Sequence, residues 1–381
     1  MSRTAVRPLV VTNDFPPRPG GIQVFVHALT AGLPDPVVYA PAWRGADAFD
    51  RAQPFEVVRH PTSLLLPVPA VRRRVVEVAQ AYGCDAAVFG AAAPLGLLAP
   101  ALRAAGVCRV VALTHGHEAG WARLPGARAT LRRIGDRVDA LTYVGEYTRQ
   151  RIEPALSDAG AARLVQLRPG VDHRVFRPGA GGVAVKQRYG LTGRPVVVCV
   201  SRLVPRKGQD VLLRAWPAVR RQVPDAVLLL VGGGPARHRL RRLAAATGVA
   251  DAVVFTGSVP RDELPAYFDA GDVFAMPCRS RLGGLDVEAL GMVFLEAAAC
   301  GLPVVAGAAG GAVDAVRDGD TGYLVDGRRP AAVAARLVQL LTDPAAAAAM
   351  GERARRWVLQ EWQWPPQAAR LRELLAPGGQ V

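Results

Sequence analysis

No apolar run in this chain reaches the roughly 18–20 residues that a membrane-spanning helix needs, although half of its 381 residues are hydrophobic. The first apolar stretch, residues 6–12, is interrupted by Arg7 and Pro8 and reads as a strand, not as a leader peptide. Cysteine is sparse: Cys84, Cys108, Cys199, Cys278 and Cys300 form no CxxC pair and no Cys/His ligand spacing. That excludes a disulfide framework and a zinc site. Four of the five sit in or beside apolar runs, as small core residues of a reducing cytosol do. Aromatics make up only 6% and are not interleaved with the basic clusters, which argues against a stacking platform for single-stranded nucleic acid. Lysine is almost missing, with only Lys186 and Lys207 among 47 basic residues.

What is present is positive charge and regular alternation. A net charge of +15 points to an anionic partner, whether nucleotide, nucleic acid or membrane surface. The arginine excess fits a GC-rich genome and is weak evidence for nucleic acid. The length predicts two domains of about 150–190 residues each. In the first half, strand-like runs at 9–12, 37–40, 55–59, 86–89, 110–114 and 140–144 alternate with helical patterns at 22–32, 71–82, 94–105 and 146–156. The second half repeats the style, with strands at 195–201, 227–231, 253–256, 273–276 and 303–306. Helical patterns there fall at 208–223, 235–246, 262–270, 292–300 and 330–341. Such alternation means βαβ units, so the fold class is α/β with two doubly wound parallel sheets. A Pro/Gly-rich stretch at 177–182 marks the junction, giving domains 1–178 and 179–360 and a C-terminal amphipathic segment with a tail, 361–381. Ligands of such sheets sit at the carboxyl ends of the strands, and two such domains facing each other would make a cleft.

The most informative stretch is residues 279–307, RSRLGGLDVEALGMVFLEAAACGLPVVAG. Glu288 and Glu296 are separated by seven residues, with Gly291 between them. Gly291 before the apolar run and Pro303 after it predict a helix over 292–300. The first N–H groups of that helix, at Met292 and Val293, have no partner inside it and carry the positive end of its dipole. A phosphate placed before Gly291 meets them with no side chain in the way. Glu296 could then accept from a sugar diol and Glu288 could touch a second sugar. The competing reading is a buried helix with two solvated carboxylates.

Other residues stand where strands end. The loop NDFPPRPGG at 13–21 is not the GxGxxG fingerprint, and Gly20 and Gly21 either admit a phosphate or simply turn. His115 and His117, in THGHE, could donate to a sugar hydroxyl or shuttle a proton, or be structural residues of a turn; no third ligand accompanies them for a metal. Arg202 and Lys207 offer a planar fork and a point charge that together suit a diphosphate; charged loops are usually just solvated, and a rare lysine at the end of a central strand sets this one apart. The glycines at 232–234 hold phosphate or turn tightly. Asp318-Gly319-Asp320 looks like a DxD metal motif but reads better as a turn. Leu64-Leu65-Leu66 with Arg72, Arg73 and Arg74 makes a basic amphipathic element that either lies on an anionic bilayer or is a solvated helix face. Arg123, Arg128, Arg132 and Arg133 form a second basic set.

Together these residues resemble the family-4 retaining glycosyltransferases of the GT-B fold, over nearly the whole chain. The family's Glu-x7-Glu motif matches Glu288 and Glu296, its basic pair Arg202 and Lys207, its strand-end histidine His115, and its glycine pair Gly20 and Gly21. The loops RPGVD at 168–172 and DGDTGYLV at 318–325 are also similar. Within the family, NDFPPRPGGIQ and THGHE look most like the actinobacterial mannosyltransferases that act on phosphatidylinositol mannosides. Gly145 stands where that resemblance implies a serine.

The resemblance implies an architecture and roles. Two Rossmann-like domains face across a cleft, with acceptor in the first and nucleotide sugar in the second, and a C-terminal helix returns to the first domain. Arg202 and Lys207 neutralise the diphosphate leaving group, helped by Gly20, Gly21, Gly291 and the N–H groups of Met292 and Val293. Glu296 grips the ribose, Glu288 holds sugar hydroxyls, and His115 sits against the transferred sugar. Ser258 lies near the base. Asp14, Gln23 and His117 fall on the acceptor side. Transfer is front-side with retention, needing no metal and no cofactor beyond the donor, GDP-mannose or another nucleotide sugar. The enzyme is then cytoplasmic and peripheral at the inner membrane face, held through residues such as Arg72, Arg73 and Arg74, with no nucleic-acid partner. Alanine at Lys207 or Arg202 is expected to cut turnover far more than stability. Rival readings are a UDP-sugar transferase, a nucleotide-sugar 2-epimerase of the same fold, and a binding protein built on an inactive fold.

Overall fold

The computed structural model describes residues 6–116 and 118–379. The chain divides into two compact units, one running to Gly170 and resumed from Trp364, the other Val171–Gln363.

The first unit is built on a seven-stranded sheet: β1 Pro8–Val11, β2 Val37–Pro41, β3 Glu56–His60, β4 Ala86–Phe89, β5 Arg109–Leu113, β6 Ala140–Tyr143 and β7 Leu164–Gln166. Its order is β3-β2-β1-β4-β5-β6-β7, and every pairing is parallel. The second unit carries β8 Val196–Val200, β9 Val227–Val231, β10 Val253–Gly257, β11 Val273–Met276, β12 Val304–Gly307 and β13 Gly322–Val325. Here the order is β10-β9-β8-β11-β12-β13, again all parallel. A parallel sheet covered on both faces calls for continuous apolar strands. VVVCV in β8 and VLLLV in β9 are accordingly buried at every residue, whereas edge strand β3 (EVVRH) is not.

Strands β7 and β13 were not expected from the sequence. Each is three or four residues long and lies at a sheet edge, too short for its pattern to stand out. The Pro/Gly-rich stretch at 177–182 lies inside the second unit. The N–H groups of Gly179 and Gly182 donate to the two oxygens of Asp269 at 2.8 and 2.7 Å, and Phe176 meets Phe268 edge-on at 5.7 Å. At the C-terminus, helix Trp364–Leu375 packs on helix Gly21–Ala31. A Cβ on Gly32 would come within 2.4 Å of the Ala368 Cβ, Arg372 donates to the Gly32 carbonyl at 2.7 Å, and Trp364 meets Phe25 at 5.8 Å. Arg109 ties the tail to β5 through the carbonyls of Leu374 (3.2 and 3.1 Å) and Gly379 (2.8 Å).

Candidate functional site

In the second unit the strand order reverses between β8 and β11, the point beside which such sheets bind ligands. The loop that leaves β8 is fixed along its backbone. Gln209 donates to the Ser201 hydroxyl at 2.8 Å and to the Arg202 carbonyl at 3.0 Å. Gly208 has φ 78°, and a Cβ there would lie 2.0 Å from the Pro277 carbonyl oxygen. The glycines after β9 meet the same loop from the other side. A Cβ on Gly232 would lie 2.2 Å from the Ser201 oxygen, and one on Gly234 2.5 Å from that of Leu203. These glycines let backbone meet backbone, which explains them as a tight turn.

The loop's two cations have different surroundings. Lys207 is buried, and its Nζ lies 2.6 Å from Glu288 Oε2, with side chains 11% and 8% exposed. Arg206, which sequence reasoning passed over, stands 3.8 Å from the same oxygen and 3.2 Å from Asp286. Arg202 is exposed and has no ion pair among the described residues. Glu288 is held through its own backbone: its carbonyl accepts from the Gly311 N–H at 2.8 Å, and a Cβ on Gly310 would lie 2.1 Å from that oxygen.

Gly291 adopts φ 84°, ψ 68° at the start of helix Met292–Ala299 and, being glycine, supplies no side-chain cap. A Cβ on Gly291 would strike the buried Phe294 ring at 2.5 Å and lie 3.5 Å from Glu288 Cγ. Lys207, Glu288 and the start of this helix are therefore neighbours, and the first N–H groups point out with a fraction of positive charge. Glu296 is buried one turn along, and Arg261 Nη2 donates to its Oε1 at 3.3 Å. Burial pushes the Glu296 carboxyl above the usual range, and Arg261 pulls it back. Ser258 is exposed after β10, beside Gly233, where a Cβ would lie 2.3 Å from the Ser258 hydroxyl.

In the first unit the order reverses between β1 and β4. The loop after β1 is braced by hydrogen bonds: Asp14 N–H to the Thr12 hydroxyl (2.9 Å), Gln23 Nε2 to Asp14 Oδ1 (2.7 Å), and Arg59 to the Pro16 carbonyl (2.6 Å). Arg59 also pairs with both oxygens of Asp50, at 2.9 and 2.7 Å. Gly20 and Gly21 are exposed, and a Cβ on Gly20 would lie 2.1 Å from Gln23 Oε1. His115, after β5, is buried with Nε2 2.5 Å from the Gly90 carbonyl. A carbonyl only accepts, so this nitrogen carries the hydrogen. Glu118, also missed from sequence, accepts the N–H groups of His115 and Gly116 at 3.0 and 3.1 Å. A carboxylate three residues after the strand-end histidine was the available signal. His117 lies outside the described residues.

Several other motifs have structural uses. Asp318 accepts the Leu324 N–H at 2.8 Å and Asp320 pairs with Arg353 at 2.9 Å, so DGD is a turn. No group of three or more His, Cys, Asp or Glu able to hold a metal occurs among the described residues. Cys84, Cys199, Cys278 and Cys300 are buried, and burial pushes the thiols of Cys199 and Cys278 up to about 11 and about 12. On helix Pro69–Ala81, Val71 and Val75 face the core while Arg72, Arg73 and Arg74 are exposed. The exposed apolar residues beside that helix are Leu64, Leu66 and Val68, at 50%, 46% and 45%.

Two family models match the chain: Glycosyltransferase Family 4 over residues 19–175 and Glycosyl transferases group 1 over residues 184–357. A GDP-mannose-dependent alpha-(1-6)-phosphatidylinositol monomannoside mannosyltransferase of Mycolicibacterium smegmatis is 52% identical over 97% of this chain and 98% of its own. The Corynebacterium glutamicum protein described as acting on the monoacylated form of that acceptor is 44% identical over 96% of this chain and 97% of its own. Among solved structures, Anabaena Alr3699/HepE with UDP and glucose superposes with a TM-score of 0.82 at 21% identity, covering 97% of this chain and 99% of that one. A Rickettsia africae glycosyltransferase gives 0.83 at 17% identity, covering 98% of each chain.

Proposed function

Because this chain belongs to the glycosyltransferases of family 4 and group 1, we propose that it moves mannose from GDP-mannose to a lipid-linked acceptor such as a phosphatidylinositol mannoside, with retention. The observation that carries this reading is the match to the mycobacterial mannosyltransferases over nearly the full length of both chains.

The chemistry asked of the second unit is to stabilise a diphosphate as it leaves. Lys207 has three N–H donors, and its pairing with Glu288 leaves others for phosphate oxygens. Arg202 adds an exposed fork with no ion pair among the described residues. The N–H groups at Met292 and Val293, behind Gly291, complete a set of donors aimed where charge develops, usually the largest single contribution to such a reaction. Glu296 accepts from the ribose hydroxyls, Glu288 from hydroxyls of the transferred sugar, and Ser258 stands near the base. In the first unit Gly20 and Gly21 approach the phosphates. His115 stands against the sugar, oriented by the Gly90 carbonyl. Asp14, Gln23 and His117 belong to the acceptor side. Transfer proceeds on the face the leaving group departs from, and no metal is required.

The acceptor is a lipid, and no helix among the described residues is long and apolar enough to cross a membrane. A peripheral attachment at the cytoplasmic face is the arrangement we propose, with Leu64, Leu66 and Val68 entering the interface and Arg72, Arg73 and Arg74 facing anionic headgroups.

Calorimetry with GDP, UDP and ADP tests the donor, and mannose transfer to a phosphatidylinositol monomannoside tests the acceptor. A response to GDP alone, with product only when acceptor is present, is expected. A response to UDP alone would replace the donor; conversion of nucleotide sugar without acceptor would make the protein an epimerase.

A further inference from the structure

We infer that Arg261 is the positioning residue of the ribose carboxylate: it holds Glu296 ionised and aimed, and thereby sets how strongly the protein separates a ribonucleotide donor from its 2′-deoxy counterpart. This rests on the reading of Glu296 as the ribose acceptor.

The argument starts from burial. Glu296 is only 4% exposed and sits in helix Met292–Ala299 among alanines and leucine, where a charged carboxylate has lost most of its water. Such a carboxyl drifts toward its neutral form unless a cation or donors face it. Arg261 is the one cation paired with it among the described residues, with Nη2 3.3 Å from Oε1. The guanidinium is located twice over, since it also lies above the Phe176 ring at 6.0 Å from the centroid. Phe176 is itself buried and packed edge-on against Phe268. The fork is therefore tethered, although half of the Arg261 side chain remains exposed.

The remaining titratable groups near Glu296 do not substitute for Arg261. Cys300, the residue that follows the helix, is a buried thiol held neutral, with Asp269 and Arg355 bearing on it. Arg355 donates to the carbonyl of Ala299, at the end of the helix.

An ionised carboxylate offers about four acceptor positions and no donor. One is taken by Arg261, which leaves room for both hydroxyls of a ribose. A protonated Glu296 would instead present a donor to one hydroxyl and lose the charge-assisted strength of the contact. Without Arg261, that neutral form spreads toward neutral pH. Discrimination against a 2′-deoxy nucleotide is then weakened even though Glu296 is still in place.

The experiment measures binding of GDP and 2′-deoxy-GDP to the full-length protein by calorimetry, between about pH 6 and about pH 8. Wild type, Arg261→Ala, Arg261→Lys and Glu296→Gln are compared. Arg261→Ala is expected to weaken GDP by about tenfold near neutral pH, the scale of one hydrogen bond to a charged group. It should weaken 2′-deoxy-GDP less, because that ligand has only the 3′-hydroxyl to lose as a charge-assisted contact, so that the ratio of the two affinities shrinks. The pH at which GDP affinity is half lost should move upward, and Arg261→Lys should restore part of both effects. If Glu296→Gln abolishes the ratio while Arg261→Ala keeps the wild-type ratio and pH midpoint, Arg261 has no such role. An unchanged ratio in Glu296→Gln would overturn the ribose reading itself.

Discussion

Removing Lys207 should damage the protein twice, and removing Arg202 only once. The sequence motif treats the two as a pair, with alanine at either expected to affect turnover far more than stability. The structure separates them. Lys207 and Glu288 form a contact of 2.6 Å between side chains that are 11% and 8% exposed. Deleting one partner of a buried ion pair typically costs about 3–5 kcal/mol, because the other charge is left without compensation. Here Arg206 stands 3.8 Å from the same oxygen and can take up part of that charge. The expected loss for Lys207→Ala is therefore toward or somewhat below the low end, about 2–3 kcal/mol. Arg202 is exposed and unpaired among the described residues, so Arg202→Ala should stay within about 0.5 kcal/mol of wild type. Each variant should still lose about 100- to 1000-fold in turnover, the usual effect of removing one stabiliser of developing negative charge.

Urea unfolding and initial rates at saturating donor separate the two effects. A third variant makes the logic sharper. Lys207→Met combined with Glu288→Gln removes both charges at once and should recover most of the stability lost in Lys207→Ala, while turnover stays low. If Lys207→Ala unfolds at the same urea concentration as wild type, the buried pair is not worth what its geometry implies. If the double variant regains turnover, Lys207 has no part in stabilising the leaving group.

Further outcomes can be checked in the same preparations. Gly291→Ala combines a left-handed φ of 84° with a clash at the Phe294 ring, so it should cost about 2–4 kcal/mol and displace the helix start, seen as lower stability with lower donor affinity. Glu296→Gln should raise the melting temperature near neutral pH while weakening nucleotide binding. The carboxyl's folded-state pKa is raised, so stability declines as pH rises from the unfolded value of about 4.3 through that folded value, and the variant escapes this decline. A flat pH dependence of wild type minus variant would count against it. Leu64→Glu with Leu66→Glu should abolish co-sedimentation with anionic vesicles and leave GDP binding intact; undiminished sedimentation would remove this loop from the membrane contact.

The sequence made the sheets legible because parallel strands buried on both faces have little freedom in composition. Runs such as VVVCV and VLLLV have few other uses, and their boundaries fell within a residue or two of the observed ones. Strands β7 and β13 escaped because three or four residues at an edge carry too little pattern. The start of the second unit at Val171 was hidden for a different reason. Composition marks residues 177–182 as a linker, but Asp269 binds the N–H groups of Gly179 and Gly182 and draws that stretch into the unit. A hydrogen bond spanning some ninety positions leaves no local signal.

The same distinction governs the site. Residues whose placement depends on local backbone were readable: Gly291 because a helix must start somewhere, His115 because a strand ends there. Residues whose role depends on a distant partner were readable only as types. Lys207 was visible as a rare lysine at a strand end, but its commitment to Glu288, eighty-one positions on, was not. Arg261 gave no sign at all, since nothing in RDELPAYF says that its guanidinium reaches a carboxylate thirty-five residues on. That asymmetry has a physical root. Chain direction and hydrogen-bonding needs fix where a loop must turn, whereas the charge that a buried carboxylate requires can be supplied from any element that packs near it. The second half of such a pair becomes identifiable once burial is known, because a carboxyl as little exposed as Glu296 needs a cation beside it to hold a charge.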